Sequence, residues 1–448
     1  MKKILIANRG EIAIRIIRAC QELGLETVAI HSIVDKNSLH TKLADESVCI
    51  GQNPSLQSYL NIPKVMSAAE ITGADAIHPG YGFLSESSEF AKVCQEYGLV
   101  FIGPSPRQIE ILGNKVEARK LAISANIPLL PGLTEPIVDL KQAKISAEEI
   151  GYPVIIKASA GGGGRGMKIV NTPGELNKQL LIAQSEAKSC FGLSDCYLEK
   201  YLSNPRHIEI QIIADHHNNV LHLGERECSI QRRHQKIIEE SPSITLDQNL
   251  KNIVANYAVS LARQAEYRSL GTVEFLFQDN RFYFMEMNTR VQVEHPVTES
   301  VTGIDLIKEQ IQIAKGLPLS FKQEDVTFTG HSIECRINAE DPFSFAPCPG
   351  KVKEYHQPGG PGIRVDSMLY SGYTVPPHYD SMIAKLISYG KTRKESIQRM
   401  LRALKEMKIS GIKNNSEFHK RILNDSNFQN NNLSTKFIEN FLSKENIS

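Results

Sequence analysis

The stretch GTVEFLFQDNRFYFMEMNTRVQVEHPVTE, Gly271 to Glu299, concentrates groups that could do chemistry. Two strand-like runs, TVEFLF and RFYFMEM, flank the turn signal QDN. A short hairpin loop centred near Asn280 would set Glu274 opposite Glu286. Side chains alternate faces along a strand, so Glu286, Asn288, Arg290, Gln292 and Glu294 would share one face. Met285, Met287, Val291 and Val293 would take the other. Two facing carboxylates repel unless a cation sits between them. Oxygen ligands from Glu274, Glu286 and the Asn288 carbonyl suit Mg²⁺, which commonly bridges phosphates. Beyond that pair, Arg290 can hold a small oxyanion and Glu294 can take a proton from it. A solvated charge ladder is the competing reading, but VEFLF and FYFM look buried on both faces.

A second candidate is KASAGGGGRGMKIV, Lys157 to Val170, which formally completes G-x-G-x-x-G at Gly161, Gly163 and Gly166. A dinucleotide fingerprint needs a helix after its glycines, whereas MKIV reads as a strand. No G-K-[ST] follows, which excludes a P-loop. A glycine-rich hairpin remains, either a flexible surface turn or a cover whose backbone N–H groups meet a nucleotide's phosphates. Lys157 on the preceding strand and Arg165 at the tip would add positive charge. RHIEIQI puts His207, Glu209 and Gln211 on one strand face with Ile208 and Ile210 opposite, and CSIQRRHQKIIEE adds Gln231, His234 and Lys236. Taken singly, each histidine is more often structural; their company favours function.

The elements that must position these groups follow from the rest of the chain. Its 448 residues suit about three domains. Net charge is +1 with no basic block, which argues against nucleic acid as a partner. No apolar run approaches the roughly 20 residues of a membrane helix. The start, MKKILIANRG, enters a strand-like run at once, unlike a signal or transit segment. Eight cysteines without C-x-x-C make neither a zinc nor a disulfide framework, so a reducing compartment is expected. Residues 1–114 alternate strand and helix signals (KILIA, EIAIRIIRACQELG, ETVAIHS, ADAIHPGYG, EFAKVCQEYG, LVFIGPS), predicting a parallel α/β sheet. IANRGEIA sits at the first strand-to-helix turn but has only Gly10, too little for a dinucleotide site. From Lys115 come the helix KVEARKLAISAN, the connection IPLLPGLTEP and the glycine loop between PVIIKAS and MKIV. Residues 204–330 are rich in strands, and 331–448 end in helical, then Asn-rich sequence. There NDSNFQNNN reads as a surface loop.

Taken together these motifs resemble the ATP-grasp superfamily and, within it, the biotin carboxylase family. The resemblance runs from ILIANRGEIAIRIIRA through HPGYGFLSE, FIGP, GGGGRGM, EKYL, RHIEIQ, ERECSIQRRHQK, MEMNTRVQVEHPVTE and HSIECRINAEDP to YDSMIAKLI. It implies α/β and α+β domains: an N-terminal Rossmann-like (pre-ATP-grasp) domain over 1–114, an ATP-grasp domain over 115–330 and a C-terminal domain over 331–448. A mobile lid over about 131–203 would carry the glycine loop as a cover for ATP phosphates.

The resemblance also implies roles. Lys115, Lys157, Gly162, Gly163, Gly164, Arg165, Glu199, Lys200, Leu202, His207, Gln231, His234 and Leu276 match ATP-contacting positions. Glu274, Glu286 and Asn288 match the site for Mg²⁺ or Mn²⁺. Lys236, Arg290, Gln292 and the Val293 backbone match the bicarbonate pocket, and Glu294 the base. Arg336 matches the residue facing the biotin enolate, with Tyr81 nearby. Cys348 stands where the family usually has Ser, outside the matched site. KEMKIS is not a biotin-attachment motif, so biotin is expected on a separate carrier protein, with carboxyltransferase subunits as further partners. A homodimer in the cytoplasm, or in the plastid stroma, is the implied state. The alternatives are another ATP-grasp ligase such as a carbamoyl phosphate synthetase half, the biotin carboxylase subunit of a different acyl-CoA carboxylase, or a nucleotide-binding relic.

Overall fold

The structure, a computed structural model, describes residues 1–133, 135–158, 167–191 and 194–444. The apolar run KILI forms the central strand of a five-stranded parallel sheet. Its order is Glu46–Gly51, Glu26–Ser32, Lys3–Ile6, Ala76–His78, Val100–Phe101. The chain reverses direction of travel beside Lys3–Ile6, and the crevice at such a reversal is where open α/β sheets take ligands. Here it holds the HPGYG loop rather than a dinucleotide turn. Asn8 Nδ2 donates to the carbonyls of Pro79 (2.7 Å) and Tyr81 (2.8 Å). Gly80 has φ +63° and a Cβ there would lie 3.0 Å from that amide, so the close approach needs glycine. The edge strand Glu46–Gly51 and the helix Ile62–Thr72 were not legible, because ESVCIG carries only an intermittent apolar pattern.

A second, larger sheet has eight strands, antiparallel throughout. Its order is Arg281–Asn288, Ser269–Gln278, Arg206–Ala214, Val220–Arg232, Gln235–Ser241, His331–Asn338, Met382–Gly390, Ile363–Ser367. It runs unbroken past residue 330, because Gln235–Ser241 pairs with His331–Asn338. The helices Lys115–Ser124 and Gln248–Gln264 share a core with Ile208, Ile210, Val273 and Phe275 on one face of this sheet. The other face carries the polar row, as the alternation in RHIEIQI predicts.

Strands Lys168–Val170, Val154–Ala158 and Cys196–Lys200 form a separate antiparallel sheet. With the helices Leu140–Ile150 and Leu176–Phe191 it encloses its own core, including Ile137, Ala143, Val154, Ile156 and Leu198. Val154 pairs with Val170 and Ile156 with Lys168, so the glycine loop does connect two adjacent antiparallel strands. Gly161 to Gly166, with Arg165, lie outside the described residues.

The expected loop is corrected: the segment is largely exposed but partly helical. Within NDSNFQNNN, Asp425 caps the short helix Ser426–Gln429, accepting from the N–H groups of Asn427 and Phe428. Phe428 is fully buried. Arg206 Nη2 donates to the Asn431 carbonyl, tying the segment to the large sheet. The polar composition hid a single apolar anchor.

Candidate active site

The hairpin forms as its turn residues dictate. Asp279 and Asn280 have φ of +53° and +58°, the geometry of a two-residue turn that matches strand twist, and Gln278 pairs with Arg281. Glu274 then stands opposite Glu286. A bulge between Glu274 and Phe275 leaves Met285 as the extra residue. Met285 is consequently partly exposed and lines the cleft, instead of pointing away with Met287. A second correction concerns the polar row: the strand stops at Asn288, and residues 289–294 are irregular up to the helix His295–Thr302. Arg290, Gln292 and Glu294 still line the same cleft, with Glu294 at the helix N-cap.

That cleft encloses about 800 Å³ between the parallel sheet, the large sheet and the three-stranded sheet. Lys236 lies at its floor. Its Nζ donates to Glu209 Oε2 (2.5 Å), Glu274 Oε1 (2.8 Å) and Glu294 Oε1 (2.6 Å). Burial opposes the ammonium, but these three carboxylates outweigh it and raise the Lys236 pKa well above its ordinary value. The other Glu294 oxygen accepts from Arg336 Nη2 at 2.9 Å, and Arg336 Nε donates to Glu239 Oε1 at 2.6 Å. Glu294 is therefore held between two cations.

Gln292 is oriented from both ends. Its Oε1 accepts from Arg226 Nη2 (2.7 Å) and its Nε2 donates to Glu274 (2.7 Å). Arg226, fully buried, also donates to Glu209, Gln211, Thr272 and Thr298. The Val293 carbonyl accepts from Lys385 Nζ (2.9 Å), which fixes that peptide. Arg290 donates through Nε to Glu86 (2.9 Å) and through Nη2 to Asn288 Oδ1 (3.0 Å). Tyr81 hydroxyl donates to Glu11 beside the same cavity.

The opposite end of the cleft is cationic. Lys115, Lys157 and Arg119 line it, with Leu130, Met167, Tyr197 and Phe284 as apolar walls. Lys157 Nζ meets Glu199 Oε2 at 2.5 Å, and Arg119 takes the other Glu199 oxygen. Burial holds the Lys115 pKa below its ordinary value. Gln231 Nε2 donates to His207 Nδ1 (3.0 Å), so the network assigns the His207 proton to Nε2, facing Glu209 (3.3 Å) and Glu274 (3.4 Å). His234 also lines the cleft from a two-residue turn with positive φ.

A divalent cation fits the Glu274–Glu286 pair. Burial, then the charge of Glu274, push the Glu286 pKa up, a repulsion that a cation between them would remove. Both carboxylates line the cleft with Asn288 beside them. Three site positions expected from the resemblance lie outside the lining. Lys200 donates to the carbonyls of Gly151 and Tyr152, and Leu202 and Leu276 are half-buried nearby. Cys348 is not among the residues lining the cleft. Sequence reasoning missed Glu86, Arg226, Glu239 and Lys385. Each lay inside or beside a polar motif, but only the strand register shows which ion each one meets.

The fold and the polar cleft define an ATP-grasp enzyme, and comparison with known proteins narrows the class. Residues 114–322 match the family model "Carbamoyl-phosphate synthase L chain, ATP binding domain". Residues 1–109 match "Biotin carboxylase, N-terminal domain" and residues 334–440 match "Biotin carboxylase C-terminal domain". Biotin carboxylase of Haemophilus influenzae is 54% identical over 440 residues, 98% of each chain. The chloroplastic biotin carboxylase of Arabidopsis thaliana is 52% identical, covering 97% of this chain and 82% of that one. Among solved structures, a biotin carboxylase–βγ-ATP complex from Campylobacter jejuni superposes with a TM-score of 0.96 at 48% identity, covering 98% of each chain. The biotin carboxylase domain dimer of Hydrogenobacter thermophilus 2-oxoglutarate carboxylase, with MgADP and bicarbonate, gives 0.94 at 47% identity, covering 98% of this chain and 97% of that one. This chain belongs to the biotin carboxylase family. The flanking domain matches set aside the carbamoyl phosphate synthetase alternative.

Proposed function

We propose that the chain carboxylates biotin at the expense of ATP and bicarbonate, as the first half-reaction of acetyl-CoA carboxylation in fatty acid synthesis. The observation that carries this reading is the placement of Glu294 between Lys236 and Arg336, at the junction of the cationic arm of the cleft and the Tyr81 side. Bicarbonate fits beside Arg290, Gln292 and the Val293 peptide, where Glu294 takes its proton. The carbonate oxygen attacks the γ-phosphorus of ATP, releasing ADP and forming carboxyphosphate. Lys115, Lys157 and His207 hold the nucleotide's phosphates in line, since positioning and charge dominate phosphoryl transfer. Mg²⁺ held by Glu274, Glu286 and Asn288 would neutralise phosphate charge when bound. Carboxyphosphate breaks down to CO₂ and phosphate, the phosphate takes the biotin N1 proton, and Arg336 stabilises the enolate that attacks CO₂.

Biotin arrives on a biotin carboxyl carrier protein, and carboxyltransferase subunits take the carboxyl group onward. The solved relative named as a domain dimer supports a homodimer for this chain. Bacterial and chloroplastic relatives support a cytoplasmic or plastid location. Among the described residues no helix is long and apolar enough to cross a membrane. The test is ADP release by the purified chain with MgATP and bicarbonate, with and without free biotin. Strong stimulation by biotin is expected; ammonia-dependent, biotin-indifferent turnover would overturn the reading.

A further inference from the structure

Glu239 and Glu334 are register partners on adjacent strands, so their side chains emerge on one face of the sheet. Both are fully buried. Glu239 Oε1 accepts from Arg336, but Glu239 Oε2 and both oxygens of Glu334 have no hydrogen-bond partner. Buried polar atoms are rarely left unpaired, because each costs its full desolvation. One proton between the two facing carboxyl groups would pair one oxygen of each, satisfying two of these three. The groups facing the pair are Arg336, Glu294 and Lys236 around Glu239, with Cys228 beyond, and Lys385, Arg336, Glu294 and Tyr81 around Glu334.

We propose that Glu239 and Glu334 share one proton and act as a positioning pair for Arg336, holding its guanidinium so that protonation of Glu294 frees one Nη2 N–H for the biotin oxyanion. This rests on the functional reading above. Arg336 forks between two carboxylates: Nε and Nη2 both lie 2.6 Å from Glu239 Oε1, and Nη2 also reaches Glu294 Oε2 at 2.9 Å. When Glu294 takes the proton of bicarbonate, its charge-assisted bond to Nη2 is lost. The Glu239 contacts keep the guanidinium in place while the Nη2 N–H given up by Glu294 meets the substrate. A pair with one negative charge holds Arg336; a doubly ionised pair would bind it too tightly, and a neutral one too weakly. Burial pushes the Glu239 pKa up to about 7 and that of Glu334 well up, consistent with a retained proton.

The test compares Glu239→Gln and Glu334→Gln in the full chain, reading ADP release with and without biotin across pH 6–9.5. Glu239→Gln is expected to lose at least tenfold in biotin-dependent kcat, with at least a fivefold fall in the ratio of biotin-dependent to biotin-independent ADP release. Glu334→Gln supplies an N–H in place of the shared proton. It is expected to stay within threefold of the parent at pH 7.5 and to keep its rate at alkaline pH, where the parent declines. Equal damage from both variants, or an unchanged alkaline limb in Glu334→Gln, overturns the pair, and the second result does so even where Glu239→Gln fails to fold. A parent chain without biotin-stimulated ADP release overturns the functional reading as well, whereas a stimulated parent with an unaffected Glu239→Gln overturns this inference alone.

Discussion

Lys236 Nζ and Glu294 Oε1 stand 2.6 Å apart, and the same ammonium reaches Glu209 and Glu274. One cation thus links the site of proton removal to the carboxylate suited to hold the metal. Lys236→Gln leaves three buried carboxylates without their shared charge. The expected cost is about 3 kcal/mol or more in urea unfolding, because breaking a buried ion pair strands its partners. Biotin-dependent turnover is expected to fall below a hundredth of the parent.

Glu294→Gln keeps the shape of the site and removes the base. ATP binding, read by nucleotide titration, is expected to stay within threefold. Turnover with bicarbonate and biotin is expected to fall by roughly 10²–10³. Normal turnover would remove Glu294 from its assigned role.

Arg336→Ala removes the group expected to face the enolate. Carboxylation of biotin is expected to drop by on the order of 10². Nucleotide affinity is expected to hold, since the Arg336 guanidinium bonds only Glu239 and Glu294 among the described residues. A variant that carboxylates biotin at the parent rate would contradict this assignment.

Much of this site was readable in the chain. The Asp279–Asn280 turn fixed the register that sets Glu274 against Glu286, and RHIEIQI showed by alternation which face is polar. The bulge that brings Met285 into the cleft was not readable, because the apolar pattern of FYFMEM is the same with or without an extra residue. Glu239 and Glu334 lie nearly a hundred residues apart, and only pairing of the strands Gln235–Ser241 and His331–Asn338 brings them together. Arg226 read as one charge among many in ERECSIQ; full burial with five bonds appears only once the sheet is closed. The short strand Glu46–Gly51 was missed because edge strands are half exposed and carry little apolar signal.

The metal pair makes its own expectation. Glu286→Gln removes one oxygen anion from the Glu274–Glu286 pair. Half-saturation of turnover by Mg²⁺ is expected to rise at least tenfold, while circular dichroism stays that of the parent. An unchanged Mg²⁺ requirement would exclude Glu286 as a ligand.

Acid stability is set partly by Asp35. Burial acts against its charge, but Arg9, bonded at 2.6 and 2.8 Å, holds its pKa down at about 2. Tyr59 hydroxyl adds a third bond at 2.6 Å. Because the folded value lies below the unfolded one, this stabilisation is present above about pH 4 and is lost as pH falls toward 2. It amounts to about 2 kcal/mol at neutral pH. In urea unfolding, the gap between the parent and Asp35→Asn is expected to be wide at pH 6 and to narrow by pH 3. A gap that does not change with pH would contradict the ionic account.

The most direct measurement of the central claim follows the carbon atom. The purified chain is incubated with MgATP, ¹⁴C-bicarbonate and free biotin, and acid-labile label on biotin is counted against ADP formed. Label on biotin in step with ADP, abolished in Glu294→Gln, is the expected result. ADP release without labelled biotin, or equal labelling by Glu294→Gln, would contradict the account.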